Sequence, residues 1–221
     1  MKVNALLLGA VLSCTTLAAY SFEKTQLFHY GQNEMHSGTA IVRETGHVDA
    51  YGTTQVQAYD QSEIKAYDKA QVEAYGHTVV YANAESKVTA FDNTRVFASD
   101  HAEIDATGSS TVQAGGNSNV IAHGNVAIVA KDHATIKAYD HCTVFAADNC
   151  KIEAHGDVTV MSLGNVNVTA SDNVNVRAYG SCVIDATDNA VIDANDKTTV
   201  QATKTVKVEL HDAAKQILAK G

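Results

Sequence analysis

The stretch QVQAYDQSEIKAYDKAQVEAYG, from Gln55 to Gly76, states one eight-residue unit three times, as V-Q-A-Y-D, I-K-A-Y-D and V-E-A-Y-G. With Val48 as the first position, every eighth residue through Val208 is Val or Ile, at 21 positions without insertion or slip. Two residues later Ala stands in 19 of the 21 units, the exceptions being Ser162 and Leu210. Two further on, Asp stands in 11 and Gly in 8, with Ala84 and Lys204 left over. The next even slot always holds Thr, Ser, Ala, Val or Cys. A repeat that holds phase over this length decides the architecture before any other feature does.

The even slots are apolar or small, and the odd slots carry Lys, Glu, Gln, Asn, Asp, His and Tyr. Alternation at period two is the pattern of a strand with one buried face, and a helix would require a 3.6 period. Each octad therefore reads as a short strand ending at Ala, followed by a corner at Tyr-Asp or Tyr-Gly. Gly and Asp both suit a corner that needs positive φ. Identical strands in phase stack best on copies of themselves, so the chain is expected to be an all-β, parallel β-solenoid. The outward slot after Val sets the coil length. Read every 16 residues, Tyr81, Phe97, Gln113, Val129, Phe145 and Met161 form a largely apolar column. The intervening series Gln57, Glu73, Thr89, Asp105, Ile121, Lys137, Glu153, Thr169 and Asp185 is largely polar. A 24-residue reading scatters the aromatics, so two octads per coil are expected.

The expected organisation is a signal peptide over 1–21, an N-terminal cap over 22–47, the repeat domain over 48–211 and a capping helix over 212–221. The first segment, MKVNALLLGAVLSCTTLAAYS, has one Lys, an apolar run from Ala5 to Leu12 and small residues after it, the layout of a secretory signal. Val11-Leu12-Ser13-Cys14 also reads as a loose lipobox, which would make Cys14 a lipid anchor. No other segment is apolar enough to span a membrane. The chain is therefore expected to be secreted, periplasmic or at the cell surface. Phe22, Leu27, Phe28 and Tyr30 are candidates for the N-terminal cap. In HDAAKQILAKG, Asp212 reads as a helix N-cap, with Leu210, Ala214, Ile217 and Leu218 as an apolar stripe. A formal net charge of −9 among 221 residues disfavours nucleic acid as a partner.

The units TAFDNT (89–94), EAYGHT (73–78) and RAYGSC (177–182) resemble the A-G-Y-G-S-T octads of bacterial ice-nucleation proteins. The resemblance spans residues 48–215 and implies a two-faced solenoid with stacked Tyr and arrays of water-ordering Thr. The chain departs from that family at the Thr-x-Thr pair. Thr54-Gln55-Val56, Ser62-Glu63-Ile64 and Ala70-Gln71-Val72 put Val or Ile where the second hydroxyl would stand. The pair then faces inward, and the hydroxyl lattice is lost.

Several constellations bear on chemistry. The Asp ladder (Asp60, Asp68, Asp92, Asp100, Asp132, Asp140, Asp148, Asp172, Asp188, Asp196) lacks the Gly-rich nine-residue repeat of calcium-binding β-rolls and reads as turn capping. His101 and His133, like His123 and His155, lie two coils apart, about 10 Å, too far to share a metal directly. Cys142, Cys150 and Cys182 occupy small inward slots and read as small hydrophobes, with a Cys142–Cys150 disulfide as the alternative in an oxidising compartment. No GxSxG, HExxH or P-loop is present, and uninterrupted octads leave no loops to build a cleft, so neither catalysis nor a cofactor or metal is expected. What remains are the apolar column (Tyr81, Phe97, Val129, Phe145, Met161) and two edge ladders, Tyr51–Tyr67 and Tyr59–Tyr75–Phe91. These point to an exported, non-catalytic structural or adhesive solenoid that self-associates as a homo-oligomer or filament. The alternative is a module that binds a repetitive ligand, polysaccharide or ice.

Overall fold

The computed structural model describes residues 25–218, which form 25 strands in two all-parallel sheets. The strands alternate between a thirteen-stranded sheet, here sheet I, and a twelve-stranded sheet, sheet II. Val56 aligns with Val72 in sheet I and Ile64 with Val80 in sheet II, so residues sixteen apart stack directly. This is the two-octad β-solenoid expected from the repeat. At a rung spacing of about 4.8 Å, thirteen rungs make a rod roughly 60 Å long.

The hydrophobic effect selects the inward slots. Val56 and Ala58 of one strand, and Ile64 and Ala66 of the next, are 0–2% exposed, and the same holds along the rod. Two sheets this close leave room only for a methyl or a β-branched side chain between them. That limit explains why Ala recurs where a larger residue would force the faces apart. Some buried hydroxyls in the corner slot are served locally: Thr54, Thr78 and Thr94 each donate from Oγ1 to the carbonyl three residues earlier, at 2.6–2.7 Å, whereas Ser86, Ser118 and Thr198 in the same slot have no partner. Ser162, in an Ala slot between Ala146 and Ala178, is fully buried and its hydroxyl has no partner.

Every described corner but the one at Lys204 turns through one left-handed residue. Asp60, Asp68, Asp92, Asp100 and their octad equivalents have φ near +60°, as do Glu44 and Ala84. All ten aspartates of the ladder also accept, through Oδ2, the backbone N–H of the left-handed residue one coil earlier. Asp132 takes Gly116 N–H at 3.0 Å, and Asp140 takes Gly124 N–H at 3.0 Å. The capping role expected for Asp is therefore present, but it runs between coils and not within one turn. The Gly corners answer a different constraint. A Cβ at Gly116 would lie 2.8 Å from Asp100 N.

Both ends differ from the expected caps. The described part of the segment expected as a capping helix over 212–221 is not helical: Lys207–Leu210 and Lys215–Leu218 are strands, pairing with Val191–Ala194 and Thr199–Ala202. Asp212 is not an N-cap. It is the left-handed corner of one more octad (φ +56°), and Ala214, packed against the core, fills the small slot. At the other end Thr25–Phe28, Gln32–Met35 and Thr39–Val42 are rungs of the stack and not a separate lid. Thr25 aligns with Thr39 and Gln32 with His47, so these first coils are fourteen and fifteen residues long, which hides them from an eight-residue phase. The expected signal segment, Cys14 and Phe22 lie outside the described residues.

Two substitutions test these corner and core assignments. Asp132→Ala loses the inter-coil bond and leaves Cβ at positive φ without the Asp side chain that tolerates that region, and is expected to cost about 2 kcal/mol. Asp132→Gly, free of the second penalty, is expected to cost under about 1 kcal/mol. Equal losses in a denaturant midpoint would refute the left-handed strain as a separate cost. Ser162→Ala is expected to raise the melting temperature, because it removes an unpaired buried hydroxyl worth about 1 kcal/mol or more. A lower melting temperature would show that the hydroxyl is served.

Candidate functional site

The two outward faces share the same four-residue strand over most of the rod and differ mainly in their odd-slot residues. On sheet I, charges of opposite sign sit on neighbouring rungs. Lys87 Nζ lies 2.6 Å from Glu103 and Lys137 Nζ 2.9 Å from Glu153, while Gln57 donates to Glu73 at 3.2 Å. Lys69 and Glu85 pair at the adjoining corner at 3.5 Å. The Glu153 carboxyl is held below its ordinary value, first by the hydrogen bond from Lys137 and then by that from His155. Part of the charge on this face is paired from rung to rung along the rod.

Sheet II carries the apolar column in the expected register. Lys65, Tyr81, Phe97, Gln113, Val129, Phe145, Met161, Arg177 and Asp193 align rung by rung. Tyr81 and Phe97 stack at 5.0 Å and are half-buried by one another. Beyond Gln113 the column opens to solvent: Val129 is 47%, Phe145 40% and Met161 37% exposed. Here the face also widens. Thr143–Asp148, Thr159–Gly164 and Asn175–Gly180 are six-residue strands side by side, against four residues elsewhere in the described chain. Their pairing runs on through Ala147, Leu163 and Tyr179 at the corner. Leu163 is 50% exposed. The result is an apolar platform centred on Phe145 and Met161, with no described segment lying over it.

The edge ladders stack as expected. Tyr51 and Tyr67 are 4.7 Å apart and inclined by 9°, Tyr59 and Tyr75 5.0 Å and 8°, and Tyr75 and Phe91 4.7 Å and 7°. Arg43 caps the second ladder over the Tyr59 ring at 4.7 Å. Loss of solvent in the stack is the main cause that pushes the Tyr75 hydroxyl above its ordinary value, with Glu73 adding to it. Further along that corner the structure adds a ladder that was not anticipated: His123, Tyr139 and His155, at 4.6 and 5.4 Å. The separation of His123 and His155 was visible in the sequence, and the residue midway between them, Tyr139, was the overlooked signal. His155 Nδ1 pairs with the Ser171 hydroxyl at 2.6 Å, and Nε2 with Glu153 at 3.3 Å. Within these ladders the facing sides of successive rings cover one another. Sugar stacking requires an open ring face, and these ladders offer cohesion along the rod instead.

Among the described residues no three His, Cys, Asp or Glu side chains converge in a way that could hold a metal ion. The aspartate carboxylates are committed to corner amides. Cys142, Cys150 and Cys182 are buried and free, so the Cys142–Cys150 disulfide is not formed. Cys182 Sγ donates to Tyr179 O at 3.3 Å, in the manner of the corner Thr hydroxyls. Burial pushes the Cys150 thiol up to about 11. No described helix is long and apolar enough to cross a membrane.

No family model, no curated protein and no solved structure matches the chain. The likeness to ice-nucleation repeats therefore rests on the octad motif and the sixteen-residue coil alone.

The thiols give a direct check. In the native protein at pH 8 the three described cysteines should resist maleimide, and all should label in denaturant. Because the folded thiol of Cys150 titrates higher than an ordinary one near 9, ionisation favours the unfolded chain. Stability should accordingly be intact below pH 9 and fall as pH rises from there towards 11. Rapid native labelling would contradict the buried assignment.

Proposed function

We propose that this chain is an exported, non-catalytic structural solenoid that self-associates through the outward face of sheet II. The observation that carries the proposal is the apolar platform, where Val129, Phe145, Met161 and Leu163 stand exposed on adjacent rungs and three strands lengthen together. A rigid, repetitive apolar ridge is energetically costly in water, and burying it against a surface of matching spacing relieves that cost. A second copy of the same solenoid has that spacing by construction. Uniform coils support the non-catalytic part of the reading, since neither face carries an irregular loop. Export rests on the character of residues 1–21, and adhesion at a surface would follow from export and association together. Polysaccharide or ice binding has less support: the facing sides of the ladder rings cover one another, and Val or Ile interrupts every Thr-x-Thr.

The size of the face sets the strength. Four residues at about 3.3 Å by nine rungs at about 4.8 Å is roughly 570 Å² per copy, or about 1,140 Å² in total. That lies at the low end for specific interfaces, and a micromolar dissociation constant is expected. Sedimentation equilibrium of the full chain should show reversible association, which Phe97→Lys/Phe145→Lys abolishes without loss of the β circular-dichroism signal. A wild type that stays monomeric at hundreds of micromolar would end this reading.

A further inference from the structure

Resting on that self-association, the charge order along sheet II points to its geometry: we infer that two copies pack face to face with antiparallel rod axes, related by a twofold axis that runs along the strand direction through Val129. The outward column is contiguous from Asp49 to Glu209, one residue per rung: Asp49, Lys65, Tyr81, Phe97, Gln113, Val129, Phe145, Met161, Arg177, Asp193, Glu209. Val129 is its midpoint. A twofold axis there lays each residue on the one equally far from Val129 in the mate. Lys65 then faces Asp193, Tyr81 faces Arg177 and Phe97 faces Met161, while Gln113 meets Phe145. These are an ion pair, a cation–π pair and a sulfur–aromatic pair, disposed symmetrically about an apolar centre. Asp49 faces Glu209 only at the far ends, where His47 lies 2.8 Å from Asp49.

The alternatives fail on charge or burial. Parallel rods would set every rung on its own copy, with Lys65 on Lys65, Arg177 on Arg177 and Asp193 on Asp193. Like charges brought together in a partly dried interface cost several kcal/mol. Moving the axis half a rung towards the N-terminal end places Lys65 on Arg177 and Asp49 on Asp193. Half a rung the other way keeps Lys65 on an acid, Glu209, and Phe97 on Arg177, but sets the Tyr81 ring on the Asp193 carboxylate and gives up the Phe97–Met161 contact. The neighbouring outward column agrees with the axis at Val129. Ala127 meets Ala127, Thr111 meets Thr143, Arg95 meets Thr159 and Val79 meets Asn175, with no acid facing an acid. Lys131 meets its own mate at the corner rim, where solvent and the adjacent Asp132 screen the pair. The existing Arg177–Asp193 bond at 3.1 Å holds both side chains over the face, ready for Tyr81 and Lys65 of the mate. An isologous contact of this kind uses the patch on both copies at once and closes as a dimer.

Disulfide trapping tests the arrangement on full-length chains in a Cys14→Ser background, the three described thiols being buried. Phe97→Cys and Met161→Cys are oxidised separately and as an equal mixture, with Val129→Cys as the control that links to itself across the axis. The expected result is cross-linked dimer in the mixture and little in either variant alone. Strong self-linking of Phe97→Cys and of Met161→Cys would overturn the antiparallel arrangement and leave self-association standing. Wild-type dimers with no cross-link from any variant would place the interface elsewhere and overturn it too. A monomeric wild type by sedimentation would overturn both readings. As a second measure, Lys65→Glu should weaken the wild-type dimer about tenfold, and an equal mixture with Asp193→Lys should recover most of that loss. Weakening without recovery would count against the Lys65–Asp193 pairing.

Discussion

Everything in this molecule depends on the corner. A strand of four residues can stack indefinitely on its copies only if the chain reverses within the next four, at the same place and angle each time. In every described corner except the one at Lys204, that reversal passes through one residue at positive φ, with its carbonyl facing the next coil. The carbonyl takes the backbone N–H seventeen residues on, as in His77 N–H to Asp60 O at 2.8 Å. Where the next coil has Asp, its carboxylate takes the amide as well. Asp is selected here because it tolerates the left-handed region and reaches one rung back. Gly is selected where the coils approach too closely for a Cβ. The alternation of Asp and Gly down the corners thus records rung-to-rung contact, and a cation-binding ladder is not needed to explain it.

The second constraint is the thin core. With two sheets separated by little more than paired Val and Ala side chains, the inward slots have almost no freedom. Cys142, Cys150 and Cys182 fit because a thiol is small and can donate to the corner carbonyls that Thr would otherwise use. Cys182 Sγ is occupied in this way within its own corner, Cys142 Sγ reaches Gly124 O one coil back at 3.7 Å, and no disulfide joins Cys142 and Cys150. All variation that can carry recognition is displaced onto the odd slots, and these divide by sheet. One face pairs lysine with glutamate from rung to rung; the other collects aromatic and aliphatic side chains.

The fold was legible because a period of two nested in a period of eight admits few structures, and the sixteen-residue register followed from which columns sort by polarity. Errors arose where local reading overrode phase. Asp212 and the Ala-rich segment after it look like a helix start by composition, yet Asp212 stands on the Asp slot and Ala214 on the small slot, and the neighbouring rung supplies half the hydrogen bonds a strand needs. The first rungs were hidden for the opposite reason, since coils of fourteen and fifteen residues break the phase while keeping the stack. The apolar column could be read as a list, but not its widening, because the octad pattern at Ala147, Leu163 and Tyr179 does not distinguish the three lengthened strands from their neighbours. The His123–Tyr139–His155 stack needed only the column to be read one rung at a time.

A parallel solenoid with a sticky face is open to uncontrolled growth, because every rung resembles every other and a mate could slide along it. In-register identity makes such sliding cheap wherever the outward column is uniform. Here the column is not uniform. Lys65 stands outside the apolar run at one end, Arg177 and Asp193 outside it at the other, and Gln113 interrupts it off-centre. Each shift of a mate by one rung moves an apolar residue onto a charge or brings like charges together, so the sequence of the column works as a ruler. The repetition that builds the rod would by itself erase position along it. The departures from repetition on one face restore that position and can limit an otherwise endless ridge to a pair.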